Sequence, residues 1–229
     1  MSPFTLSKSP EIWWYRWFLA SGLGWLFGNW IANLGVVSLI RIVERLTVTH
    51  AISGIWVSFI SSLLRGAFIG IVIGLLQWVS LKKYINHAML WIISTIFCWS
   101  LAHIMGAWVT EIISTLNNGR IPNLILFTSI GISAGLSLGI FQWNFAKDVF
   151  GKQIIWALTS IISWSLPFML YATLFNKLSG MRPNITIDMI NQISFFVFDI
   201  IGFVAALITI ILLRISKQRK FVMYVNQSA

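Results

Sequence analysis

Few side chains here can do chemistry, and most of them stand inside apolar runs. Asp199 lies in Phe195-Phe196-Val197-Phe198-Asp199-Ile200-Ile201, and Arg65 lies within the run Gly54–Leu81. An ionisable residue in such a setting is costly, so it is ordinarily paired or marks a path for a proton, ion or substrate. Two readings of Asp199 and Arg65 stay open: a structural ion pair between helices, or a transport element. Glu111, beside Trp108, is closer to the end of its run and within reach of water. His103 has no second histidine at a spacing useful for binding a tetrapyrrole, since His50 and His87 fall near opposite ends of the runs. A hydrogen-bonded interior histidine is the expectation. The single cysteine, Cys98, excludes an intrachain disulfide and a CxxC metal site, and is expected to pack. No H-E-x-x-H, G-x-S-x-G or Walker sequence occurs. The expectation is therefore a protein with no catalytic residue, no metal site and no cofactor.

The elements that hold these residues are legible from composition. Of the 229 residues, 58% are hydrophobic and 10% charged, and the mean hydropathy is +0.84. A soluble domain usually carries about 25% charge, and disorder requires low hydrophobicity. Six apolar runs each approach the roughly 20 residues that cross a bilayer: Trp17–Ile40, Gly54–Leu81, Ala88–Ile113, Leu124–Ala146, Ile154–Phe175 and Ile190–Ile215. The first is too long for a signal-peptide core and is read as a retained helix. Turn-like stretches, Asn117–Pro122 and Leu178–Pro183, separate later runs.

The formal net charge is +10, from 16 Lys and Arg against 6 Asp and Glu. Because the basic residues sit between apolar runs, they report orientation rather than nucleic-acid binding. Six crossings put both termini on one side. That side carries Lys8, Arg16, Lys82, Lys83, Lys147, Lys152, Arg214, Lys217, Arg219 and Lys220; the other carries Arg41, Arg45, Arg65, Arg120, Lys177 and Arg182. The richer side is expected to be cytoplasmic.

Residues 66–101 align without gaps on residues 131–166, with 11 identities in 36 positions. Gly66, Gly70, Gly74, Gln77 and Trp78 recur as Gly131, Gly135, Gly139, Gln142 and Trp143. In the odd-numbered helices Trp17 and Trp25, Trp91 and Trp99, and Trp156 and Trp164 are each eight apart, with Ser21, Thr95 and Ser160 midway. The chain reads as three helical hairpins, each a tryptophan helix followed by a glycine helix, packed with pseudo-symmetry. In the third, a constant offset of 65 puts Leu207 and Ile208 where the earlier copies have Gln-Trp, leaving Gly202 as the retained glycine.

On a helix turning about 100° per residue, each glycine triplet and its glutamine fall on one stripe. Small residues at that spacing let helix backbones approach closely in lipid, and a glutamine adds an interhelical hydrogen bond. Helix packing is the expected use of the stripes, with a ligand groove as the alternative. Trp13, Trp14 and Trp17, with Trp78 and Trp143 near Lys82 and Lys147, fit a cytoplasmic aromatic belt. Trp25, Trp99 and Trp164 lie deeper and are expected to be core, the alternative being the lining of a pigment or quinone site.

The string Gly74-Leu75-Leu76-Gln77-Trp78-Val79-Ser80-Leu81, followed by Trp91-Ile92-Ile93-Ser94, resembles a recurring G-x-x-Q-W-x-x-L signature of multi-pass membrane proteins of bacteria, particularly cyanobacteria. The second copy matches at Gly139, Gln142 and Trp143 but has Ala146 for the last leucine. The resemblance implies a multi-pass fold and a bacterial membrane, and no reaction. In such a host the sequon Asn184-Ile185-Thr186 has no glycosylation role.

The sequence thus predicts an all-α, polytopic membrane protein with six transmembrane helices as three repeated hairpins. Residues 1–16 form a cytoplasmic segment with interfacial aromatics, 17–215 the transmembrane domain and 216–229 a basic cytoplasmic tail. The expected role is non-enzymatic: structural, interaction or assembly, with the bilayer and another membrane protein or a second copy as partners. A small transporter or channel subunit is the alternative. A third reading has Arg214–Lys220 meeting lipid headgroups or a partner protein.

Overall fold

The computed structural model describes residues 10–47, 54–82, 88–116, 123–150, 153–180, 193 and 196–227. Six long helices carry the chain: α1 (Pro10–Thr47), α2 (Gly54–Leu81), α3 (Ala88–Leu116), α4 (Asn123–Phe150), α5 (Gln153–Gly180) and α6 (Ile201–Gln227). Several outrun the apolar segments that predict them, because helical backbone continues through polar residues until glycine, proline or a loop stops it. α1 begins at Pro10, a residue suited to a helix start, and runs past Ile40. α6 runs on through Gln227, so most of the basic tail is a continuation of that helix. The turn-like stretches 117–122 and 181–183, the start of the sixth apolar run at 190, Lys8, Lys83, Lys152, Arg120 and Arg182 lie outside the described residues.

Each helix packs on its predecessor and its successor, and α6 closes on α1, making a ring in chain order. Neighbours run antiparallel: Gly24 and Gly28 of α1 meet Ile73 and Ile69 of α2, in reversed order. A Ser80–Arg16 hydrogen bond of 3.4 Å likewise joins the end of α2 to the start of α1.

The glycine stripes seat the even helices on the helices that follow them. A Cβ on Gly66 would strike the Trp99 carbonyl and Ser100, one on Gly70 would lie 2.6 Å from the Ile96 Cα, and one on Gly74 3.2 Å from the Ile92 Cα. Sixty-five residues later Gly131 meets Trp164 and Ser165, Gly135 meets Ser160 and Ile161, and Gly139 meets Ala157. The tight seam therefore joins a glycine helix to the tryptophan helix of the next hairpin, α2 to α3 and α4 to α5. Gly202 of α6 closes the ring against Trp25 and the Ser21 carbonyl of α1.

The odd helices send their large side chains to the axis. Trp25, Trp99 and Trp164 form a triangle with ring centroids 4.7, 5.2 and 5.7 Å apart. Two turns away, Trp17 contacts Trp91 at 5.9 Å and Trp156 at 6.1 Å. Each such pair contributes roughly 0.5–1.5 kcal/mol beyond its area burial. Trp17 is thus a core residue, 4% exposed, rather than part of the interfacial belt: it points to the axis, while Trp78 lies at the rim under the Lys82 ammonium, 5.9 Å from its ring centroid.

The outer surface is apolar. α2 exposes Trp56, Ile60, Leu63, Ile71, Leu75 and Val79, and α3 exposes Leu90, Ile93, Phe97, Met105, Trp108 and Ile112, at helical spacing. Apolar stripes this extensive are unsuited to water and match lipid. Among the described residues, five helices are long and apolar enough to cross a membrane, from Trp56–Ser80 through Phe196–Ile215. α1 is the exception to the expected six. Asn29 and Asn33, with its glycines and tryptophans, lower its hydropathy, and its buried polar residues Ser21 and Asn29 are 2% and 1% exposed.

Candidate functional site

Polar side chains gather at two levels on the axis, separated by the tryptophan triangle. At the level nearer the chain termini, the Gln77 carboxamide donates to the Ser21 hydroxyl at 3.0 Å and accepts from the Trp91 indole N–H at 3.2 Å. Gln142 donates to the Thr95 hydroxyl at 2.9 Å, and that hydroxyl donates to the Trp91 carbonyl at 2.7 Å. Each glutamine therefore reaches back to the tryptophan helix of its own hairpin, while the glycines on its stripe seat the helix on the next one. Ser21, Gln77 and Gln142, with Ser160 and Thr209, border a chamber of about 20 Å³, room for roughly one water.

Thr209 is the third member of the glutamine set. Gly70 precedes Gln77 by seven residues, Gly135 precedes Gln142 by seven, and Gly202 precedes Thr209 by seven. Thr209 is buried at 6% exposure, while Leu207, the position expected from a constant offset of 65, is 49% exposed. The third hairpin has gained two residues ahead of α6, which moves the equivalence from Leu207 to Thr209. The hydroxyls midway between the paired tryptophans carried a signal of this level; Thr209 was legible only by anchoring the third copy on Gly202.

The second level lies at the end of the bundle away from the termini. A cavity of about 470 Å³ is lined by Asn33, Arg65, His103 and Tyr171, with Leu126, Phe127, Ile130, Phe168, Phe175 and Phe198. α1 to α5 contribute to it, with Phe198 from the helical stretch 196–199 ahead of α6. Arg65 and His103, read separately from the sequence, meet here. Asn33 and Tyr171 were not singled out; one residue per turn from the tryptophans to the far ends of α1, α3 and α5 would have reached Asn33 and the neighbourhood of Tyr171. His103 is 8% exposed, and its Nε2 has no protein partner among the described residues. It stacks near Trp99, 6.3 Å between ring centroids.

Asp199 does not join Arg65. No ion pair links them among the described residues, and Asp199 is absent from the cavity lining. Residues 196–199 are helical and end in a turn at Ile200 ahead of α6, and Asp199 sits partly exposed at that turn. Its neighbour Phe198 turns inward, and the Phe198 carbonyl accepts from the Trp25 indole N–H at 2.9 Å. Cys98 is buried, and its carbonyl accepts from the Ser137 hydroxyl at 3.4 Å. Glu111 is exposed. No group of three metal-ligating side chains occurs among the described residues.

Fold and site together define a polytopic helical membrane-type bundle with a filled axis and a polar-headed end cavity. No protein family, curated protein or solved structure matches the chain.

Proposed function

We propose that this protein is a non-enzymatic integral membrane protein of a bacterial inner or internal membrane, crossing it six times with both termini in the cytoplasm. Its role is interaction or assembly within the bilayer, through lipid and through another membrane protein or a second copy. The observation that carries this reading is the filled axis: two tryptophan levels, hydrogen-bonded glutamines between them, and a chamber of about 20 Å³ leave no conduit there among the described residues. The bacterial setting rests on the G-x-x-Q-W-x-x-L strings, and the orientation on the ten basic residues of the terminal side.

A small transporter is the second reading, favoured by Arg65 and His103 sharing an axial cavity. Reconstitution separates the two. Proteoliposomes tight to protons and small ions, with the chain extracted in mild detergent as an assembly larger than a monomer, support the proposed role. Flux that depends on Arg65, from monomeric protein, would replace it with the transporter.

A further inference from the structure

We infer that the axial end cavity is a binding site for an amphiphile with an oxyanionic head, a carboxylate or phosphate on an apolar body. This goes beyond an assembly role and needs only that the bundle fold as described. Arg65, Tyr171, His103 and Asn33 can each donate a hydrogen bond, and among the described residues no acidic side chain lines the cavity. Arg65 brings a permanent charge with a fork suited to carboxylate or phosphate oxygens. The buried His103 Nε2 lacks a protein partner among the described residues; a polar atom so placed costs stability unless something bonds to it. The rest of the wall is aromatic and aliphatic, with Phe168 and Phe198 beside the tryptophan triangle. About 470 Å³ falls within the usual range for small-molecule pockets, roughly 300–1,000 Å³. A cation with donors beside it, in a wall that is otherwise rings and aliphatic groups, suits a charged head joined to an apolar tail, rather than a free inorganic anion or a neutral lipid.

The tryptophan triangle serves as the reporter, because bromine quenches indole fluorescence on contact. Purified full-length protein in neutral detergent is titrated with 9,10-dibromostearate, with its methyl ester, and with stearate in competition; inorganic phosphate is tested as a competitor. The expected result is saturable quenching by the acid, at least tenfold weaker for the ester, reversed by stearate and unaffected by phosphate at matched concentration. Arg65→Gln should weaken the acid at least tenfold and the ester little, with Arg65→Lys restoring part of the difference. If Arg65→Gln is not recovered as a monodisperse protein, Tyr171→Phe is read instead, with about threefold weakening expected. Equal quenching by acid and ester, or displacement by phosphate alone, would overturn the assignment. So would variants that bind like the parent.

Discussion

Gln142 donates a 2.9 Å hydrogen bond to Thr95, and Gln77 makes the same bond to Ser21, 65 residues earlier in the glutamine and 74 earlier in the hydroxyl. Both bonds run from a glycine helix back to the tryptophan helix before it, while the glycines of the same stripe press on the helix after it. α2 and α4 are thus each tied to the helix before them by a glutamine hydrogen bond and to the helix after them by backbone proximity, to which α2 adds the Trp91–Gln77 bond.

Removing either glutamine bond should weaken the bundle measurably. Gln77→Leu and Gln142→Leu should each cost about 1 kcal/mol, within the roughly 0.6–2 kcal/mol usual for interhelical bonds in membranes. Both side chains border one small chamber, so the double variant should depart from the sum of the single losses. Unfolding by steric trapping or thermal scans in detergent measures this. Two silent variants would show that the glutamines do not hold the helices.

The glycines should differ among themselves. A Cβ at Gly70 falls 2.6 Å from a backbone Cα of α3, whereas at Gly74 the nearest contact is 3.2 Å. Gly70→Ala should cost about 1–3 kcal/mol through overpacking, and Gly74→Ala less than about 1 kcal/mol. Melting temperatures of the two variants compare them; an equal or reversed order would contradict the seam between α2 and α3.

Arg65 and Asp199 should behave as independent residues. Without an ion pair between them, a cycle of Arg65→Leu, Asp199→Leu and the double variant should give a coupling below about 0.5 kcal/mol. A buried pair would instead show large single losses, about 3–5 kcal/mol, recovered in the double variant. The latter result would place Asp199 against Arg65 after all.

Much of this architecture was legible from residue types and spacing. Apolar runs gave the helices because each is long enough to cross a bilayer. The repeat gave the equivalent tryptophans because eight residues bring a side chain back nearly to the same helix face. Two things were not legible. The relation of Arg65 to Asp199 was misleading because the apolar run containing Asp199 has no internal stop signal, yet the chain turns at Ile200, next to the Phe198 carbonyl that accepts from Trp25. The cavity was hidden because its lining comes from six segments, and only Arg65 and His103 stand out against their own neighbours in sequence.

Six crossings require α1 to span the membrane, although it is less apolar than the five helices that meet the length and hydropathy for a span. Single cysteines placed at Ser7, Asn118 and Ser228 in a Cys98→Ala background, probed with a membrane-impermeant maleimide in sealed vesicles of known orientation, decide this directly. Residues 7 and 228 should label from the cytoplasmic face and residue 118 from the opposite face. Labelling of 7 and 228 from opposite faces would make α1 a non-crossing helix and contradict the ring as a membrane fold.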